Sequence, residues 1–170
     1  MLRSLSSHAL VILPAIVWLS LPLAASAQSS SAQRDSAAVD SALHHFLTAF
    51  ENLEWEPFRS AFADSATVFH PAPNMPGRVT GRAAIDSTFR IVFADVRAHA
   101  TGGPPFHHLT SVDLRIQPLA PDVVLATFEL HNAERLARRT VVFRREGDAW
   151  RIVHLHASNI AIPTGASNHQ

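Results

Sequence analysis

Apolar positions along this chain change period once, and the change divides it into a helical part and a strand part. From Ser36 to Glu54 they recur as Val39, Leu43, Phe46, Leu47, Phe50 and Leu53, the spacing that lays one stripe along a helix. Glu54 to Ala63 reads as a short second helix, with Pro57 in its first turn and Trp55, Phe58 and Phe62 on one side. Ala66 to His70 reads as a strand stopped by Pro71, and Pro71 to Gly77 as a turn-rich loop. A third helix opens at Gly81-Arg82 and runs to about Val96, burying Ile85, Phe89, Val92, Phe93 and Val96.

Beyond the breaker Thr101 to Pro105 the period drops to two. His108 to Gln117 alternates with Thr110, Val112, Leu114 and Ile116 on one face; Val123 to His131 alternates with Val124, Ala126, Phe128 and Leu130 inside. Arg135 to Arg145 and Trp150 to Ser158 form a hairpin across Glu146-Gly147-Asp148. Three helices with a short strand among them, then an antiparallel meander, make an α+β layout in which a curved sheet wraps over helices. No internal repeat interrupts that order, and Thr101 to Pro105 lacks the Lys-Ser/Thr and the following helix of a phosphate loop.

Composition narrows the partners. Of the 170 residues 47% are hydrophobic and 16% charged, enough for a full core in one domain. Net charge is zero, so no basic field steers nucleic acid or an anionic membrane. All 14 basic residues are Arg. The absence of Cys excludes disulfides, thiolate chemistry and cysteine zinc sites. At the amino terminus Arg3, the apolar run Ala9 to Leu23 and Ala25-Ser26-Ala27 have the form of a secretory signal cut after Ala27; the run is shorter than the roughly 20 residues a bilayer core requires. The expected organisation is therefore a signal peptide over 1–27, a flexible tether over 28–35, a folded domain over 36–160 and a disordered tail over 161–170.

Phe62-Ala63-Asp64-Ser65-Ala66-Thr67-Val68-Phe69-His70-Pro71, followed by Gly81-Arg82-Ala83-Ala84-Ile85, resembles the nuclear-transport-factor-two-like (SnoaL-like) superfamily, whose ketosteroid isomerases carry a similar run. The segment Arg144 to Ser158, with Trp150-Arg151-Ile152-Val153-His154-Leu155-His156, is similar to the association domain of calcium/calmodulin-dependent kinase II. The resemblance implies a cone: a bent sheet closed by three helices around an apolar cavity, in a homodimer joined through the outer sheet. It implies a small apolar ligand and no cofactor. In the isomerase branch the base is an Asp where this chain has His70, the oxyanion donor is a Tyr where it has Phe46, and a protonated Asp falls near Thr140 or Val141. With no Tyr anywhere in the chain, steroid-type isomerisation is disfavoured.

His70 is the sharpest candidate, since an imidazole with a pKa of about 6.5 can take a proton at neutral pH. The competing reading is a histidine satisfied by a backbone carbonyl at a strand-to-loop corner. The cavity lining is expected from Phe46, Phe50, Trp55, Phe58, Phe62, Phe89 and Phe93 on and between the helices, with His108 and Phe128 from the sheet. Simple alternation puts His154 and His156 on one face with Trp150 and Ile152, about 7 Å apart, where they are weak candidates to share a metal. No third ligand follows from spacing, so no metal site is assigned. Glu129 and His131 share a strand face, and His44 and His45 flank the first stripe; solvent-facing or interface roles suit both pairs. Arg138, Arg139, Arg144 and Arg145 read as a solvated strand edge. Two functions lead, and a metal-dependent protein using His154 and His156 stands behind them as a third rival. One is a cofactor-independent isomerase, cyclase or lyase using His70, favoured if a polar residue such as Asp64, Asp86 or Glu129 contacts it. The other is a non-catalytic ligand-binding or oligomerisation module. If the leader is cut as read, the exported protein begins at Gln28; amino-terminal sequencing that finds Met1 intact contradicts the cleavage.

Overall fold

The computed structural model describes residues 23–71, 77–131 and 135–161, with the backbone path alone at 23–29, 131, 135 and 161. Most of the leader, the middle of the loop after Pro71 and the end of the tail lie outside the described residues. Helices α1 (Leu23–Glu51), α2 (Trp55–Ser60) and α3 (Arg82–His99) pack on a six-stranded sheet of β1 (Phe62–Phe69), β2 (Val79–Thr80), β3 (Ser111–Ala120), β4 (Val123–His131), β5 (Arg135–Glu146) and β6 (Ala149–Ala161). The sheet order is β2-β1-β6-β5-β4-β3. The meander β3 to β6 is antiparallel, as its pattern requires, whereas β1 joins β6 in parallel. Among the described residues, no helix is long and apolar enough to cross a membrane.

Helix α1 begins well before its apolar stripe. Residues 28–35, read as a loose tether, are helical. They contain no Gly or Pro, and Ala and Gln are strong helix formers; Ser36 donates its hydroxyl to the Ala32 carbonyl one turn back. The stripe buries Val39, Leu43, Phe46 and Leu47. The helix stops at Glu51, where Leu53 takes φ 55° and the Glu54 N–H reaches the Ala49 carbonyl at 2.8 Å, a Schellman-type end.

Two residues of the Gly81-Arg82 pair fasten α3 to β1. Gly81 adopts φ 83° and ψ 152°, a region nearly reserved for glycine that costs other residues about 1–3 kcal/mol, and its N–H donates to the Ala66 carbonyl. Arg82 donates to the carbonyls of Arg59 and Phe62 and pairs with Asp64 at 2.5 Å. Ile85, one turn on, is buried. These residues thus hold a helix, a strand and the end of α2 in one corner.

The sheet departs from simple alternation at two places. In β3 the pairing with β4 shifts between Val112 and Arg115, and Asp113 takes φ 51°. The slip turns Val112 outward to 42% exposure while Leu114 and Ile116 pack against the core, so the single face expected for Thr110, Val112, Leu114 and Ile116 does not persist. In β6 Ile152 pairs with Phe143 and His154 with Val142, leaving Val153 as an extra residue. Beyond this bulge the inward residues are Leu155 and Ala157, not His154 and His156. The β1–β6 pairing shifts over the same stretch, from Phe62↔Ile152 to Thr67↔His154. A bulge of this kind bends its strand and increases the local twist, which closes the sheet over the helices.

Candidate functional site

Helices α1, α2 and α3 send a cluster of phenylalanines towards the bent sheet. Phe58 is at its centre, with ring centroids 5.4 Å from Phe46, 5.4 Å from Phe62, 4.8 Å from Phe89 and 5.0 Å from Phe93. Edge-to-face and tilted pairs at these distances each add about 0.5–1.5 kcal/mol to the burial itself. The cluster does not fill the space beneath the sheet. A cavity of about 100 Å³ remains, floored by Phe46, Leu47, Phe50, Phe58 and Phe89. Val68 and Pro71 from the β1 end, Phe128 and Leu130 from β4, and Leu155 and Ala157 from β6 complete its apolar wall, with Leu109 ahead of β3. Two polar side chains enter this lining, His70 and Arg139.

His70 follows the last residue of β1, and Pro71 cannot continue the ladder because it has no N–H. Its ring stands 5.7 Å from that of Phe89 at 68°. Burial lowers its pKa below the ordinary histidine value, and the positive charge of Arg139 lowers it further. The imidazole is accordingly neutral at pH 7, the state a base requires. Asp64 and Asp86, considered as partners for it, are held by Arg82 and by Arg59 at 2.7 Å respectively. Glu129 lies across the sheet from Arg138, 3.6 Å away.

Arg139 was read as part of a solvated edge. It lies on β5, an interior strand, between Phe128 of β4 and Ala157 of β6, both inward. Its Nη1 donates to the Arg138 carbonyl at 2.8 Å and the Ser158 carbonyl at 3.1 Å. Burial pushes its pKa down to about 10, which leaves it charged at neutral pH. It lies in phase with the buried Val141 and Phe143 of the same strand. Of the remaining cluster, Arg144 pairs with Glu146, and Arg145 pairs with Asp35 and covers the Trp150 ring at 4.5 Å.

Five of the expected lining residues, Phe46, Phe50, Phe58, Phe89 and Phe128, line the cavity. Phe62 and Phe93 stand behind the wall, packed on Phe58. Trp55 lies in a separate depression with Phe93, under the guanidinium of Arg90 at 4.1 Å. His108 is exposed. Its neighbour His107 instead stacks on Phe50 at 5.6 Å and 15°, because Glu51 pins this segment: its carbonyl accepts from the Phe106 N–H and its carboxylate from the Leu109 N–H. His154 and His156 occupy the outer face after the Val153 bulge, where Thr67 Oγ1 lies 2.7 Å from His154 Nδ1 and Phe69 packs against both rings. No group of three or more His, Asp or Glu among the described residues is arranged to hold a metal. His44 and His45 are exposed, and the His131 side chain lies outside the described residues.

Residues 39–163 match the SnoaL-like domain, and the chain belongs to that family. Its fold is that of an NTF2-like protein of unknown function from Pseudomonas putida, with a TM-score of 0.62 and 16% identity over 74% of this chain and 87% of that one. An NTF2-like candidate dehydratase from Streptomyces avermitilis has a TM-score of 0.61 and 21% identity over 75% and 97% of the two chains. A candidate calcium/calmodulin-dependent protein kinase type II association domain from Thiobacillus denitrificans has a TM-score of 0.56 and 26% identity over 71% and 94%. No curated protein matches the chain. The superfamily and the α+β cone read from the two sequence motifs are thus the ones the chain has.

The histidines make the fold sensitive to acid. Burial holds His70, His107 and His154 below the ordinary value, so the native state resists protons that the unfolded chain binds near pH 6.5. Their contribution is fully present above about pH 6.5 and is lost as pH falls through the native values. Replacing Arg139 with Gln removes a positive charge beside His70 and should raise the His70 pKa, followed by NMR of its Cε1 proton. A His70 titration identical in the two proteins would contradict the pairing of these side chains across the cavity.

Proposed function

We propose that the chain is an exported, homodimeric SnoaL-like domain that binds a small apolar molecule in its cone cavity, where His70 serves as a general base. The observation that carries this reading is the placement of a neutral imidazole, with Arg139 as the other polar group, in a mostly apolar wall of a cavity of about 100 Å³. Such a site desolvates a ligand and brings its carbon acid to a base without a cofactor. His70 would take a proton from carbon adjacent to a carbonyl. Returning it at a neighbouring atom is isomerisation, attack of the resulting carbanion on an electrophilic carbon of the same ligand is cyclisation, and expulsion of a β-leaving group that takes the proton back from His70 is a lyase step. Pairing of two copies through the outer sheet, near Phe69, His154 and His156, belongs to the same proposal.

A second reading is a non-catalytic binding or oligomerisation module. Phe46 favours it: the lining residue that corresponds to the isomerases' oxyanion-donating Tyr has no hydroxyl. The two readings separate on exchange of the methyl protons of acetophenone in deuterated water. A general base contributes about 10²–10⁴-fold, so wild-type protein should accelerate exchange and His70→Ala should lose about a hundredfold of that acceleration. Exchange no faster with wild-type protein than with His70→Ala removes His70 from catalysis and leaves the binding module.

A further inference from the structure

We propose that the cavity receives a small organic anion, a carboxylate on an apolar body no larger than a benzene ring, and that the Arg139 guanidinium is its receptor. This inference deepens the proposed function and rests on its cavity.

A half-buried charged side chain beside Phe128, Leu130, Leu155 and Ala157 needs a reason, because taking a charge part of the way out of water has a cost that pairing would offset. The bonds Arg139 makes go to neutral acceptors: the carbonyls of Arg138 and Ser158 and the amide oxygen of Asn159. Among the described residues no carboxylate is within ion-pairing distance of it, and none lines the cavity. Among the described residues, therefore, nothing in the site offsets the positive charge. His70, the other polar group of the lining, is neutral at pH 7 and brings no negative charge. Packing does not explain the arginine either. A leucine or methionine in the same inward row would fill the space at no electrostatic cost.

The hydrogen-bond geometry points the same way. Nη1 carries the short bonds that fix the guanidinium to β6 and to its own strand. Nη2 reaches Asn159 only at 3.5 Å, and Nε makes no bond among the described residues. Nε and Nη2 are one of the two donor pairs with which an arginine grips a carboxylate in a two-pronged fork. The size of the hollow sets the rest of the ligand. An apolar cavity of roughly 150 Å³ holds benzene, so about 100 Å³ opening to a mouth sets an upper limit near that size for the apolar body whose carboxylate stays at Arg139.

The test compares three probes of similar shape, benzoate, benzyl alcohol and toluene, by ligand-observed NMR and calorimetry at pH 7. Hydrogen bonds to a charged group are worth about 1.5–3 kcal/mol, so benzoate should bind wild-type protein roughly tenfold or more tightly than benzyl alcohol. Arg139→Gln should erase that preference. Should Arg139→Gln fail to fold, the wild-type comparison decides alone, together with the His70 titration, which bound benzoate should move upward and bound toluene should not. Toluene binding without preference for benzoate overturns the anion receptor and leaves the apolar cavity standing. Binding of neither overturns both.

Discussion

A strand has two faces, and β6 exchanges the residues that occupy them at Val153. Before the bulge Trp150 and Ile152 are buried; after it Leu155 and Ala157 are, while His154 and His156 turn outward. The one extra residue does three things at once. It bends the sheet, it lines the hollow with aliphatic carbon, and it keeps two imidazoles out of the interior. Without it, simple alternation would turn His154 and His156 inward with Trp150 and Ile152. The parallel pairing of β1 is irregular over the same stretch, so the corner that places His70 depends on the same irregularity.

The helices supply the other half of the enclosure. Phe58 carries contacts from three helices and the start of β1, and so sets how closely they approach. A ring cluster of this type packs densely within itself but leaves a gap where rigid discs meet a curved sheet. The gap becomes the site because Pro71 ends β1 at its mouth and because Glu51 draws the segment with Leu109 across its side. The cavity is thus a by-product of rigid shapes meeting, given chemical character by two side chains.

Much of this was legible in the sequence. The helical stripes, the meander and the two family motifs were enough for the α+β cone, and Phe46, Phe50, Phe58, Phe89, Phe128 and His70 were expected around its hollow. What escaped is instructive. Periodicity assigns faces only while pairing is regular, so the slips at Asp113 and Val153 reversed the faces expected for Val112, His154 and His156. His108 seemed in phase with β3, but its segment is governed by bonds to Glu51, which no local pattern encodes. Arg139 was misplaced for a different reason. It was grouped with Arg138, Arg144 and Arg145 as a solvated edge, although β5 is an interior strand and Arg139 lies in phase with the buried Val141 and Phe143. A charged residue on an inward strand face breaks the local rule, and such a residue is the informative one.

The hollow itself is the central claim, and crystals of the protein pressurised with xenon test it most directly. Xenon enters dry apolar cavities and leaves polar or filled ones empty. The account predicts one ordered xenon atom between the Phe58 and Phe89 rings and the inward side chains of Phe128 and Leu155. A side chain found occupying that space, with no bound xenon, would contradict it.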